Sequence, residues 1–199
     1  MWANQSEKVQ FCPLGFRDGV LWYDWEWLEH ITVRAAMVDG SQMMFNRFQK
    51  VYVDTSVVSG KFDDVHSWQT EPFWNAVVKG EIRIMVSDVL RGELAIAPAH
   101  IRDFFKQLPK PQIELVNSNE TTELLAARYV AEGVVGQSSL NDCRHIAIAT
   151  IYRADCLVSL NFRHIVNANR IYRYNGINML LGYPTIEIRN PYEVVNDET

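Results

Sequence analysis

Residues 139–163 read SLNDCRHIAIATIYRADCLVSLNFR, and the order of features along them decides the fold. In 139–153, Leu140, Cys143, Ile146, Ala147, Ile148 and Ile151 place apolar side chains almost all round a helical period, which predicts a helix buried on most sides. Two residues later comes CLVSL (156–160), short, apolar throughout and suited to a strand covered on both faces. A buried helix feeding such a strand is the unit of a parallel sheet, because parallel strands can be joined only by a long crossover.

Working outward, strand and helix signals alternate. Strands are expected at KVYVD (50–54), EIRIMVS (81–87), QIELVNS (112–118) and TIEIR (185–189). Helices are expected at EPFWNAVVKG (71–80), with Pro72 in its first turn and Gly80 at its end, and at DVLRGELAI (88–96) and PAHIRDFFKQL (98–108), the last closed by Pro109 and Pro111. Further helices are expected at TTELLAARYVAEG (121–133), ended by Gly133, and across 164–182. The pattern predicts an α/β fold: a mostly parallel, five-stranded central sheet flanked by helices on both faces.

The chain has 199 residues, 48% of them apolar, and a net charge of −5 from 19 basic and 24 acidic residues. That is too apolar for disorder and long enough for a proper core. No uninterrupted apolar run is long enough to span a membrane. Cys12, Cys143 and Cys156 show no metal-ligand spacing, and their odd number argues against a disulfide framework, so a reducing cytoplasm is the simplest setting. The first 48 residues differ from the rest. They carry Trp2, Trp22, Trp25 and Trp27, fit no clean period, and end near the Met43–Met44 pair. They read as an accessory extension or an upstream start-site assignment, with the compact domain at 49–199.

In an open α/β sheet, ligands bind beyond the carboxyl ends of the strands. Asp54 ends the first strand; it also reads as a helix cap, since Asp-Thr-Ser is a good capping run. Glu93 lies about one and a half turns into the helix after the second strand, where a plain solvated glutamate is the competing reading, and Asp88 reads as that helix's cap. Ser139 and Asp142 have the spacing of a capping box, which places the Asp142 carboxylate in the first turn, favoured there by the helix dipole. Asn161 ends the strand CLVSL, and a turn-forming role competes. Together, three carboxylates and an amide at such positions are the oxygen donors that a Mg²⁺ or Mn²⁺ site takes.

Rival chemistries lack their motifs. The chain has no G-x-G-x-x-G, no G-x-x-x-x-G-K-[ST] and no G-x-S-x-G. His30, His66, His100, His145 and His164 form no H-x-x-x-H or H-E-x-x-H pair, which argues against zinc hydrolysis.

These residues match a known family. The stretch from about residue 50 to 190 resembles the PIN domain, a metal-dependent nuclease fold, and is most similar to its VapC-type members from bacterial toxin–antitoxin systems. VYVDTSVV, VSDVLRGEL, SSLNDCRHIAIAT and ADCLVSLNFRHI carry the resemblance, with 39, 49 and 19 residues separating Asp54, Glu93, Asp142 and Asn161 in turn. The resemblance implies that Asp54, Glu93 and Asp142 are acidic ligands of Mg²⁺ or Mn²⁺. Asn161 stands where many members carry a fourth acid. It further implies that Thr55, Ser56 and Ser159 support the ligands, and that the reaction is endonucleolytic cleavage of RNA by a metal-activated water. An antitoxin partner and a homodimer are implied in the same way. A catalytically weak PIN domain acting as an RNA-binding or scaffold module is the alternative, and another phosphohydrolase or a DNA nuclease is a third.

From 144 to 189, six arginines face only Asp155 and Glu187, so this part of an acidic chain is locally basic. Arg144, Arg163 and His164 are the candidates for contact with RNA phosphate.

Overall fold

The structure, a computed structural model, describes residues 15–17, 20–22 and 50–196. The chain divides into two compact units, Met1–Phe45 and Asn46–Thr199. In the first, β1 (Gly15–Arg17) pairs antiparallel with β2 (Val20–Trp22), Phe16 opposite Leu21. The tryptophan-rich run beyond Trp22, the Met43–Met44 pair and most of the expected extension lie outside the described residues.

The second unit is built on five strands: β3 (Lys50–Val53), β4 (Arg83–Val86), β5 (Ile113–Leu115), β6 (Cys156–Val158) and β7 (Glu187–Arg189). They lie in the order β5-β4-β3-β6-β7 and every pairing is parallel, so the sheet is wholly rather than mostly parallel. The chain adds β4 and β5 on one side of β3, then crosses to add β6 and β7 on the other. The switch point, where an α/β sheet opens a crevice, therefore lies between β3 and β6.

Alternation along the strands feeds two cores. Val51, Val53, Ile84, Val86, Cys156 and Val158 point to one face. There they meet α1 (Thr55–Gly60), α2 (Ser67–Lys79), α3 (Asp88–Ala95), α4 (Ala99–Gln107) and α8 (Pro191–Val195). Tyr52, Met85, Leu157 and Ile188 point to the other face, against α5 (Glu120–Ala131), α6 (Leu140–Ile151) and α7 (Ala168–Leu180). Seven residues of α6, from Cys143 to Thr150, are buried, as its apolar girdle requires. No helix among the described residues is long and apolar enough to cross a membrane.

Several local expectations need correction. The helix expected at 71–80 begins at Ser67, so Pro72 sits in its second turn, where it withholds one intrahelical bond; Gly80 does close it, at φ 85°. The cap of α3 is Ser87, whose hydroxyl accepts the Leu90 N–H; Asp88 instead accepts from the N–H and hydroxyl of Ser118, at 2.7 and 2.5 Å. No capping box forms at Ser139, because its hydroxyl faces His164. The segment 164–182 turns through 164–167 before α7 begins, capped by Asn167. Pro109 and Pro111 flank and enter a 3₁₀ turn at Lys110–Gln112, which shortens the following strand to three residues.

Candidate functional site

The site is assembled from loops at the carboxyl ends of β3 and β6, with α3 and α6 supplying side chains. Asp54 follows β3 directly, and its own N–H donates to the Val158 carbonyl at 3.2 Å, tying the two central strands together at the switch point. The aspartate caps α1: Oδ1 accepts from the N–H groups of Ser56 and Val57 at 2.8 and 3.3 Å and from the Ser56 hydroxyl at 2.5 Å. Oδ2 accepts from the Ser159 hydroxyl at 2.7 Å. Asp54 is only 4% exposed. Burial raises its carboxyl pKa, opposed by the neighbouring His145 and by these hydrogen bonds. The expected cap is thus present, made by the same carboxylate that the sequence marks as a candidate site residue.

Ser159 links Asp54 to the next residues. Its oxygen accepts from the Asn161 N–H at 2.9 Å. Ser56 does the same for Leu160, at 2.8 Å. Asn161 forms a turn by accepting the His164 N–H at 3.0 Å, and its amide nitrogen donates to Asp142 Oδ1 at 3.0 Å. The other Asp142 oxygen lies 2.9 Å from His164 Nδ1, which also lies 3.0 Å from the Ser139 hydroxyl. A carboxylate only accepts, so His164 carries its proton on Nδ1. Asp54, Ser159, Asn161, Asp142 and His164 are therefore one continuous hydrogen-bonded chain.

Glu93 reaches the same region from α3. One oxygen takes the Thr55 hydroxyl and lies 3.3 Å from His145 Nε2; the other lies 3.4 Å from the Asn141 amide nitrogen. The bond from His145, with those from Thr55 and Asn141, outweighs partial burial and holds this carboxyl below its ordinary value. Glu93 is therefore ionised at neutral pH and turned toward the loop that carries Asp54.

The first two turns of α6 serve both groups, since Asn141 and His145 hold Glu93 while Asp142 holds His164. The sequence alone gives His145, Asn141, Tyr52 and Ser87 no part in holding Glu93. The available signal was spacing: His145 follows Asp142 by three residues on one helix face, and Tyr52 precedes Asp54 by two on one strand face. Arg144 is engaged within the protein, its guanidinium 3.0 Å from Glu123 and 2.9 Å from Asn141 Oδ1. Arg163 is exposed, two residues beyond Asn161.

Among the described residues, no three His, Cys, Asp or Glu side chains form a ready-made cage for a metal ion. Mg²⁺ does not need one, since it keeps several waters and takes one or two protein carboxylates. The donor chemistry fits such an open, oxygen-only, water-rich site. Asp54 in particular is a buried carboxylate with hydroxyl and amide partners.

No family model matches the chain. No curated protein matches it. Similar solved structures include VapBC2 from Rickettsia felis bound to a DNA fragment from the promoter, 13% identical over 71% of this chain and 98% of that one, with a TM-score of 0.46. DNA-bound VapBC from Salmonella typhimurium is 16% identical over 72% of this chain and 98% of that one, with a TM-score of 0.46. FitAcB from Neisseria gonorrhoeae is 11% identical over 71% and 98%, with a TM-score of 0.47. The second unit of the chain is an all-parallel, five-stranded α/β domain in which Ser159 and Asn161 link Asp54 to Asp142 at the switch point of the sheet.

Proposed function

We propose that the chain is a divalent-metal-dependent endoribonuclease of the PIN type, the toxin half of a toxin–antitoxin pair, working in the cytoplasm. The observation that carries this reading is the unbroken run from Asp54 through Ser159 and Asn161 to Asp142, two acids fixed by shared partners on either side of the switch point. Asp54, Glu93 and Asp142 would hold Mg²⁺ or Mn²⁺, with the Asn161 amide oxygen, which keeps a lone pair beyond its bond to His164, as a fourth donor. When bound, the ion supplies an activated water and neutralises charge on the phosphodiester.

The chain's own residues do the rest. Ser56 and Ser159 hold Asp54 against rotation, Asn161 and His164 hold Asp142, and Thr55, His145 and Asn141 hold Glu93, so the acids are oriented before substrate arrives. RNA is the substrate favoured by the locally basic stretch 144–189, with Arg163 and His164 nearest to Asn161 in the chain and able to meet phosphate. The antitoxin partner and a homodimer follow from the resemblance in the four motifs. Buried, free Cys143 and Cys156, the first with its thiol pushed up to about 12 by burial, suit a reducing compartment.

One observation favours a second reading, an RNA-binding PIN module without catalysis. The Asn161 amide already bonds His164 and Asp142, which leaves less for a metal than a fourth acid would offer. A substrate panel separates the readings: single-stranded RNA, single- and double-stranded DNA and an aryl phosphodiester, each with Mg²⁺, Mn²⁺ or chelator. The proposal expects metal-dependent cleavage of RNA alone; cleavage of DNA or of the aryl ester instead overturns the RNA assignment, and binding of RNA without cleavage supports the second reading.

A further inference from the structure

Behind Glu93 lies a buried polar relay. Tyr52 and Ser87 are 0% exposed and His145 is 3% exposed. The Tyr52 hydroxyl lies 2.7 Å from Ser87 Oγ and 2.8 Å from His145 Nδ1, and the two rings meet edge to face. Among Met85, Cys143 and Leu157, phenylalanine would fill the space of Tyr52 as well, so packing alone gives no reason for its hydroxyl.

The donor count gives a reason. His145 Nε2 faces the Glu93 carboxylate, an acceptor only, and so carries the proton. In the neutral ring Nδ1 must then accept, which makes Tyr52 the donor. The Tyr52 oxygen in turn accepts from Ser87, whose own oxygen accepts the Leu90 N–H at 3.1 Å. With the ring neutral, every member is satisfied in one direction, from Leu90 to Glu93.

We propose that Tyr52 is a positioning residue for Glu93, acting through His145: its hydroxyl fixes the imidazole with Nε2–H aimed at the carboxylate, and so sets where Glu93 can hold a divalent ion. This rests on the metal-site reading above in that it takes Glu93 for a ligand. Tyr52 touches neither substrate nor ion.

The test is Mn²⁺ binding to the full chain, followed by electron paramagnetic resonance, for wild type, Tyr52→Phe, His145→Ala and the double variant, alongside nitrogen NMR of the imidazoles without metal. Tyr52→Phe should weaken Mn²⁺ binding about 10-fold and His145→Ala about 10- to 100-fold. The double variant should match His145→Ala within a factor of about two, because Tyr52 acts on Glu93 through His145 and not through Ser87 and the cap of α3. The wild-type spectrum should show His145 protonated at Nε2, and Tyr52→Phe should shift its Nδ1 resonance. Tyr52→Phe that binds Mn²⁺ like wild type, or losses that multiply in the double variant, overturns the proposal; melting curves exclude unfolding as the cause of a loss. Wild type that binds no Mn²⁺, or binds as well after Glu93→Gln, overturns the metal reading and with it the use assigned to Tyr52. The spectrum, free of metal, distinguishes that failure from the absence of the Tyr52–His145 link itself.

Discussion

Ser159 donates its hydroxyl to Asp54 at 2.7 Å, a bond between residues 105 apart in the chain that locks the loop after β6 to the loop after β3. The same oxygen accepts the Asn161 N–H, so one hydroxyl orients both the buried acid and the amide that reaches Asp142.

Replacing Ser159 with alanine should therefore be expensive for so small a change. It leaves one oxygen of a buried carboxylate without its donor, a loss of about 1–3 kcal/mol. In a domain of this size, the melting temperature should fall by roughly 2–4 °C per kcal/mol, as calorimetry would show. Ser59→Ala, at an exposed residue of α1, should change stability by less than about 0.5 kcal/mol.

Asp54 and Glu93 should respond to pH with opposite signs. Burial holds the Asp54 carboxyl above its ordinary value, so the folded chain keeps a proton that the unfolded chain releases. The stability this contributes is full below the ordinary carboxylate value and is lost as pH rises through the folded one. Glu93 is held low, first by His145, and its contribution is present above the ordinary value and lost as pH falls through the depressed one. In chelator at about pH 8, Asp54→Asn should melt above wild type and Glu93→Gln below it, each by a few degrees, on the order of 1 kcal/mol. The Asp54 difference should shrink as pH falls toward the ordinary carboxylate range, about pH 4, and the Glu93 difference only below that range, which melting curves at successive pH values would reveal.

Arg163 and Arg144 should separate binding from support. Arg163→Ala should weaken RNA binding and reduce the slope of log affinity against log salt by about 1, the signature of one lost phosphate contact. Arg144→Ala removes a partner of Glu123 and Asn141, so it should leave that slope unchanged and lower stability by about 1 kcal/mol or less. Filter binding across a salt series measures the first, and thermal melts the second.

Gly60→Ala should report on the packing beside the site. A methyl group at this buried position would overlap the end of the Leu160 side chain, which is only half-buried and can turn aside. Ser159 and Asn161 on either side of Leu160 can then stay in place. A destabilisation of about 1 kcal/mol or less is expected, with Mn²⁺ binding within a factor of about two of Gly92→Ala, where nothing lies within 4 Å.

What was legible in the sequence was local. Asp54 could be read both as a strand end and as a cap because each role depends on its immediate neighbours, and the buried helix 139–153 declared itself by its period. Short helices did not: α1 and α8 have six and five residues, too few to show a period, and were missed. Ser139 misled because its spacing to Asp142 fits a capping box, whereas a histidine 25 residues away takes its hydroxyl. The Tyr52–His145 bond spans 93 residues; spacing sets each residue beside an acid, but nothing in either neighbourhood marks their pairing. Such links depend on which strands become neighbours, and the crossover of the sheet decides that.

The central claim is that Asp54 and Asp142 act together on RNA, and one measurement tests it most directly: cleavage of a single-stranded RNA by wild type, Asp54→Asn and Asp142→Asn, with Mn²⁺ and with chelator. Wild type should cleave only with the metal, and each variant, folded by circular dichroism, should lose on the order of 10³-fold in rate. Either variant cleaving at the wild-type rate, or wild type cleaving equally well in chelator, would contradict the account.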